Sequence, residues 1–221
     1  MFLELAEALA CPLCGPPQGL IVLVDQMAER RVSEGRLDCP NCETRFPIEA
    51  GVVFFGGPEA ADCLGVPAPA SHRDGSSDPA APGRAVLLAA LLGLHEVSGY
   101  VLLGPTLETV AAELSRLAGE SEFVLLSSPL AGPLDARART SRVSVVRGTR
   151  SGRLPLLNNR LTGAGLAAAP PDLCLAAYAA VRPGANLAVL DPLPDTQALL
   201  VEAGAQILAA EDRGIAARRA Y

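Results

Sequence analysis

Two Cys-x-x-Cys hooks constrain this chain more than any other feature of its sequence. Cys11-Pro-Leu-Cys14 and Cys39-Pro-Asn-Cys42 are separated by 24 residues. Each hook brings two sulfurs to one side of a tight turn. Two hooks together make a closed, tetrahedral thiolate site of the kind that holds zinc. Gly15, directly after the first hook, supplies the backbone freedom such a turn uses. With all four positions filled by Cys11, Cys14, Cys39 and Cys42, no coordination position stays open for chemistry. The expected Zn2+ is therefore structural, stapling a ribbon too small to hold a core by itself.

The residues between and after the hooks suit a β-ribbon. Leu20-Ile-Val-Leu-Val24 is a short strand-forming run, and Arg31 to Leu37 can return as its partner. Phe46-Pro-Ile48 and Val52-Val-Phe-Phe55 add strand-like material, with Gly51 as a turn. Met1 to Ala10 carries two acids among apolar residues and reads as a short amphipathic helix. This unit is expected to span residues 1–57. Residues 58–83 contain Pro58, Pro67, Pro69, Pro79 and Pro82 among Ala, Ser, Gly and Asp. Such a segment buries too little apolar surface to order itself and reads as a flexible linker. Cys63, His72 and Asp74 fall in it and read as incidental.

From Arg84 onward, helical and strand patterns alternate. Tyr100-Val-Leu-Leu103, Phe123-Val-Leu-Leu126, Val143-Ser-Val-Val146 and Asn186-Leu-Ala-Val-Leu190 are apolar strand runs. Arg84–Leu94, Leu107–Ala118, Pro171–Val181 and Thr196–Ala203 have helical character, and Ala205–Ala209 with Ile215–Arg219 can close the sheet. Alternation of this kind predicts an α/β domain over 84–221 with a mostly parallel sheet.

Composition narrows the function. The chain has 221 residues, half of them apolar, with 4% aromatics and no Trp, so Ala, Leu and Val must build the core. Its net charge of −6 argues against nucleic-acid binding by the protein as a whole. All 18 basic residues are Arg, which fits a GC-rich coding bias. The longest apolar run, 85–92, is too short to span a bilayer, so no membrane role is expected. Cysteines in metal spacing, behind an N-terminus without a basic region, fit a reducing, cytoplasmic setting.

Leu9-Ala-Cys-Pro-Leu-Cys14, Leu37-Asp-Cys-Pro-Asn-Cys42 and Phe46-Pro-Ile-Glu-Ala-Gly-Val52 together resemble the zinc-ribbon subunits that activate methyltransferases. Val53 departs from that pattern, which often has Pro there. The resemblance implies a ribbon that docks on a protein and stabilises it. The apolar surface expected to dock is Phe46, Ile48, Val52 and Phe54. Its partner would be a separate protein or the chain's own C-terminal domain, with a homo-oligomer or RNA as weaker alternatives.

The segment Ala176-Ala-Tyr-Ala-Ala-Val-Arg-Pro-Gly-Ala-Asn-Leu-Ala-Val-Leu-Asp191 resembles the helix, Arg-Pro-Gly turn and strand of class I S-adenosylmethionine-dependent methyltransferases. Leu154 to Thr162 and Leu199 to Leu208 resemble two further stretches of that family, in the family's order. The resemblance implies a reduced Rossmann-like fold. The cofactor-binding pattern is eroded. The turn after the first strand is Gly104-Pro-Thr-Leu-Glu-Thr109, with a single Gly at Gly104, and Pro105 removes an amide donor. Ser127-Ser-Pro129 and Arg147-Gly-Thr149 stand where acids would grip the cofactor, and Leu161-Thr162 stands for Phe-Asp. These departures argue against S-adenosylmethionine binding. No catalytic nucleophile–base pair is expected: His95 reads as a helix-end residue, Cys174 as a small core residue and Asp191 as part of a turn.

Arg137, Arg139, Arg142, Arg147, Arg150, Arg153 and Arg160 lie within 24 residues with no acid among them. Without interleaved aromatics they read as a solvated edge rather than an RNA site. The sequence thus predicts a zinc-binding interaction or scaffold protein on a methyltransferase-like, non-catalytic fold. The alternative is a divergent methyltransferase acting on RNA or protein.

Overall fold

Runs of Val, Leu and Ile punctuated by turn residues gather into one sheet. A computed structural model describes residues 1–56, 81–95, 98–127, 142–148 and 153–221. The first unit opens with a 3-10 turn, Leu3–Ala8, where the sequence suggested an amphipathic α-helix. A meander follows: β1 (Ile21–Ala28), β2 (Arg31–Asp38), β3 (Arg45–Glu49) and β4 (Val52–Phe54). Each neighbour pair in it is antiparallel. Glu29 and Arg30, with φ of 49° and 63°, make the tight β1–β2 turn. Positive φ at both central residues matches the twist of the two strands.

The second unit contains α1 (Ala81–Leu92), β5 (Gly99–Leu103), α2 (Glu108–Leu117), β6 (Ser121–Ser127), β7 (Val143–Arg147) and β8 (Leu161–Ala167). It ends with α3 (Pro171–Ala180), β9 (Val181–Leu190), α4 (Thr196–Glu202), β10 (Ala205–Glu211) and β11 (Gly214–Arg219). Strand order across the whole sheet is β1-β2-β3-β4-β7-β6-β5-β8-β9-β11-β10. From β7 through β9 the pairs are parallel, whereas β11 is antiparallel to both of its neighbours. Counted within this unit, the first five strands run 3-2-1-4-5, the doubly wound order. The fold is a doubly wound, Rossmann-like α/β fold with a mostly parallel sheet.

The expected boundary at residue 57 does not divide the core. β4 pairs in parallel with β7, with Val52, Val53 and Phe54 opposite Val145, Val146 and Arg147. Both faces of the sheet are covered. On one, α1 and α2 pack through Leu88, Leu92 and Leu114 onto residues such as Val101 and Phe123. On the other, α3 shares a single core with the N-terminal unit, which contributes Leu5, Leu9 and Phe46. Most of the expected linker, including Cys63, His72 and Asp74, lies outside the described residues. Its last three residues, 81–83, form the start of α1.

β8 is the strand that periodicity misses. Leu-Thr-Gly-Ala-Gly-Leu-Ala is fully buried but carries two glycines, which lower strand propensity. The packing requires one of them. A Cβ on Gly165 would lie 3.0–3.3 Å from the Leu88 side chain, so Gly165 lets α1 sit close to the sheet.

Candidate metal centre

The two hooks converge through matching backbone turns. Gly15 N–H donates to Cys11 O at 2.7 Å, and Glu43 N–H donates to Cys39 O at 2.9 Å. The residue after each hook has a left-handed backbone, φ 74° at Gly15 and 58° at Glu43. Sequence reasoning found Gly15 and missed Glu43, because an acid does not advertise positive φ.

All four Sγ atoms lie within 4.8 Å of one another. Cys11 and Cys42 are 3.7 Å apart, and Cys14 and Cys39 are 3.9 Å apart. A tetrahedron with zinc–sulfur bonds of about 2.3 Å has edges of about 3.8 Å. The set therefore has the dimensions and donor chemistry of a four-thiolate metal site. Cys11 and Cys39 are buried, whereas Cys42 is exposed. As thiols the sulfurs differ. Burial pushes Cys11 up to about 12. The Thr44 hydroxyl, 3.3 Å from Cys42 Sγ, and the Thr44 amide pull Cys42 down to about 6. Asn41 Nδ2 donates to Cys14 Sγ at 3.2 Å. Asn41 and Thr44 thus surround the sulfurs with donors that stabilise thiolate charge. Their signal in the sequence was a polar residue inside, and just beyond, the second hook.

The expected docking surface faces the chain's own α/β unit, one of the two partners expected for it. Phe46, Ile48 and Val52 are buried, and Phe54 is partly buried. Phe46 meets Phe55 edge-on, with ring centroids 4.9 Å apart. The residues face inward because β4 continues into the parallel sheet, so they do not form an exposed face for a separate protein.

The cofactor position of the Rossmann unit lies where the strand order reverses, between β5 and β8. Loop residues occupy the carboxyl ends of these strands. Gly104 N–H donates to Gly165 O at 2.8 Å, and Thr106 Oγ1 donates to Ala167 O at 2.9 Å. Leu107 is fully buried, and Pro105 is buried beside it in a 3-10 turn, Pro105–Leu107. A Cβ at Gly104 would lie 3.0 Å from Leu166 Cδ2. Gly104 thus serves close packing against β8.

The described arginines do not form one patch. Arg142 and Arg147 flank β7 at opposite ends, about 17 Å apart at strand rise, and Arg142 donates to Ala118 O. Arg153 and Arg160 are exposed, with Arg153 Nη1 close to Gly15. Arg137, Arg139 and Arg150 lie outside the described residues. His95 is exposed after α1, and Cys174 is buried, with burial pushing its thiol up to about 11. Among the described residues, no helix is long and apolar enough to cross a membrane.

No protein-family model and no curated relative matches this chain. Solved structures do. An S-adenosylmethionine-dependent methyltransferase from Aquifex aeolicus is 17% identical with a TM-score of 0.46, covering 64% of this chain and 93% of that one. An O-methyltransferase family protein from Burkholderia thailandensis is 12% identical with a TM-score of 0.48, covering 65% and 58%. An O-methyltransferase from Thermotoga maritima is 12% identical with a TM-score of 0.45, covering 63% and 66%. Likeness at this level says nothing about activity, and the fold assignment rests on strand order and direction.

Proposed function

We propose that this chain is a non-catalytic scaffold: a methyltransferase-like domain completed by a zinc-stapled N-terminal ribbon. The observation that carries this reading is the turn after β5, which packs onto β8 and lacks the usual glycines. Gly104 N–H continues the β5–β8 ladder to Gly165 O, Thr106 Oγ1 donates to Ala167 O, and Leu107 is buried in the α1–α2 core. Cys11, Cys14, Cys39 and Cys42 would hold Zn2+, which supplies a rigid node and no reaction step. The ribbon's partner is then the chain's own α/β unit, through β4 and β7.

One observation favours the alternative, a divergent S-adenosylmethionine-dependent methyltransferase acting on RNA or protein. Ser127 is 2% exposed at the carboxyl end of β6, and its hydroxyl has no hydrogen-bond partner among the described residues. An orphaned hydroxyl at that end of a parallel strand is where a bound ligand would find a contact. Titration calorimetry with S-adenosylmethionine and its demethylated product separates the two readings. The scaffold reading expects no heat of binding. Micromolar binding of either compound overturns it in favour of the enzyme.

A further inference from the structure

The metal centre touches the α/β unit along two separate routes. The first leaves the first hook on its N-terminal side. Leu9 forms an antiparallel bridge with Leu156. Ala10 N–H donates to Pro155 O at 2.9 Å, and Leu157 N–H donates to Ala8 O at 2.8 Å. The segment that leads into β8 is thus clamped to the three residues before Cys11. The second route leaves the second hook on its C-terminal side. Cys39 N–H donates to Thr44 O at 3.0 Å, and β3 begins at the next residue, Arg45. β3 carries β4, which carries β7, and Phe55 N–H extends that ladder by donating to Arg147 O at 2.8 Å.

Resting on the zinc reading above, we infer that metal occupancy controls the order of β7 and of the segment entering β8. The four-cysteine centre then governs the β7 edge of the parallel sheet and the approach to β8 as well as the ribbon. The physical reason is the size of each contact. β7 meets β4 through three residue pairs, and two further bonds reach it from the N-terminal unit, Phe2 N–H to Ser144 Oγ at 3.1 Å and Arg31 Nη2 to Val143 O at 3.0 Å, so its order depends on that unit being held in place. β4 is itself three residues long and takes its position from β3. Without metal, the two hooks lose the node that joins them and fixes the start of β3. β7 would then become an edge strand, and the clamp at Ala8–Ala10 would lose its anchor at Cys11. Among the described residues, β9 and β11 share the buried core but pair with neither β4 nor β7.

Coupling of this kind is reciprocal. Metal protects the β4–β7 pairing, and weakening that pairing lowers metal affinity by the same factor.

Hydrogen exchange on the full chain tests this, comparing zinc-loaded protein with protein stripped by a chelator under native conditions. Peptides covering 143–147 and 154–158 are expected to exchange about tenfold faster or more in the stripped form, while β9 and β11 change less than about twofold. Unchanged exchange at 143–147 in a chain that binds zinc overturns the inference and leaves the zinc reading standing. A chain that binds no zinc overturns both. The reciprocal arm is zinc affinity by chelator competition in Phe55→Ala and Leu156→Ala, two positions outside the ligand set. Affinity about tenfold weaker in both supports the coupling. Wild-type affinity in either folded variant refutes the corresponding route.

Discussion

Phe55 offers a direct test of whether the ribbon and the α/β unit share one core. Its ring is 1% exposed and meets Phe46 of β3 at an interplanar angle of 62°. It lies in the same cluster as Val124, Leu126 and Val146 of the parallel sheet. Its backbone N–H bonds to Arg147 O. Phe55→Ala removes the ring but keeps that hydrogen bond. Truncating a fully buried Phe costs about 3–5 kcal/mol, from lost transfer energy and the cavity left behind. For a chain of this length each kcal/mol lowers Tm by roughly 2–4 °C, so a fall of about 6–20 °C is expected. The assay is calorimetric melting together with far-ultraviolet circular dichroism. The helical signal comes from α1 to α4, all C-terminal to Phe55. One transition, shifted as a whole and seen equally by both methods, is the expected result. Two transitions, with the helical one unmoved, would refute the single-core argument.

Three further outcomes follow from the same geometry. Elemental analysis of the wild type should give about one zinc per chain, and Cys39→Ser, which removes a buried ligand, should reduce this to near zero. Zinc affinity should rise steeply with pH. Cys11, held at about 12, and Cys14, also raised, must each release a proton on binding, whereas Cys42 at about 6 is already a thiolate. At least two protons are released, which corresponds to a gain of at least about a hundredfold in affinity from pH 7 to pH 8, measured against a competing chelator. A pH-independent affinity would contradict the assignment. Arg219 donates from Nη1 to the Tyr178, Ala179 and Val181 carbonyls that end α3, and its guanidinium stands 5.6 Å from the Tyr178 ring centre. Arg219→Ala should cost about 1–3 kcal/mol in urea unfolding, and Arg219→Lys should recover only part of it.

Much of the α/β unit was legible because its elements carry strong local signals. Val143–Val146 and Phe123–Leu126 are continuous apolar runs, as strands buried on both faces must be. β8 was illegible for a reason of packing. Gly163 and Gly165 look like breaks in a strand, and only the nearby α1 side chains, Leu92 beside Gly163 and Leu88 beside Gly165, explain them. Which partner the docking surface meets was not legible for a related reason. Phe46, Ile48 and Val52 have the apolar character of an interface, and an interface looks the same in sequence whether its partner is another protein or the same chain. At the switch point, Pro105 and the single Gly104 announced an altered turn. The bonds from Thr106 and Gly104 to β8 link residues about sixty positions apart, beyond any local pattern.

The sequence by itself determined the four-cysteine cluster, because bringing four thiols together needs only two tight turns, and each turn is written in four consecutive residues. It also determined the class of the second unit, because helix and strand periodicities are local properties. Only the tertiary structure decided how the two are joined. Three residues of β4 lie alongside β7, each pair 93 positions apart in the chain, and that pairing depends on backbone edges rather than on side-chain identity. It makes the ribbon a layer of the same core.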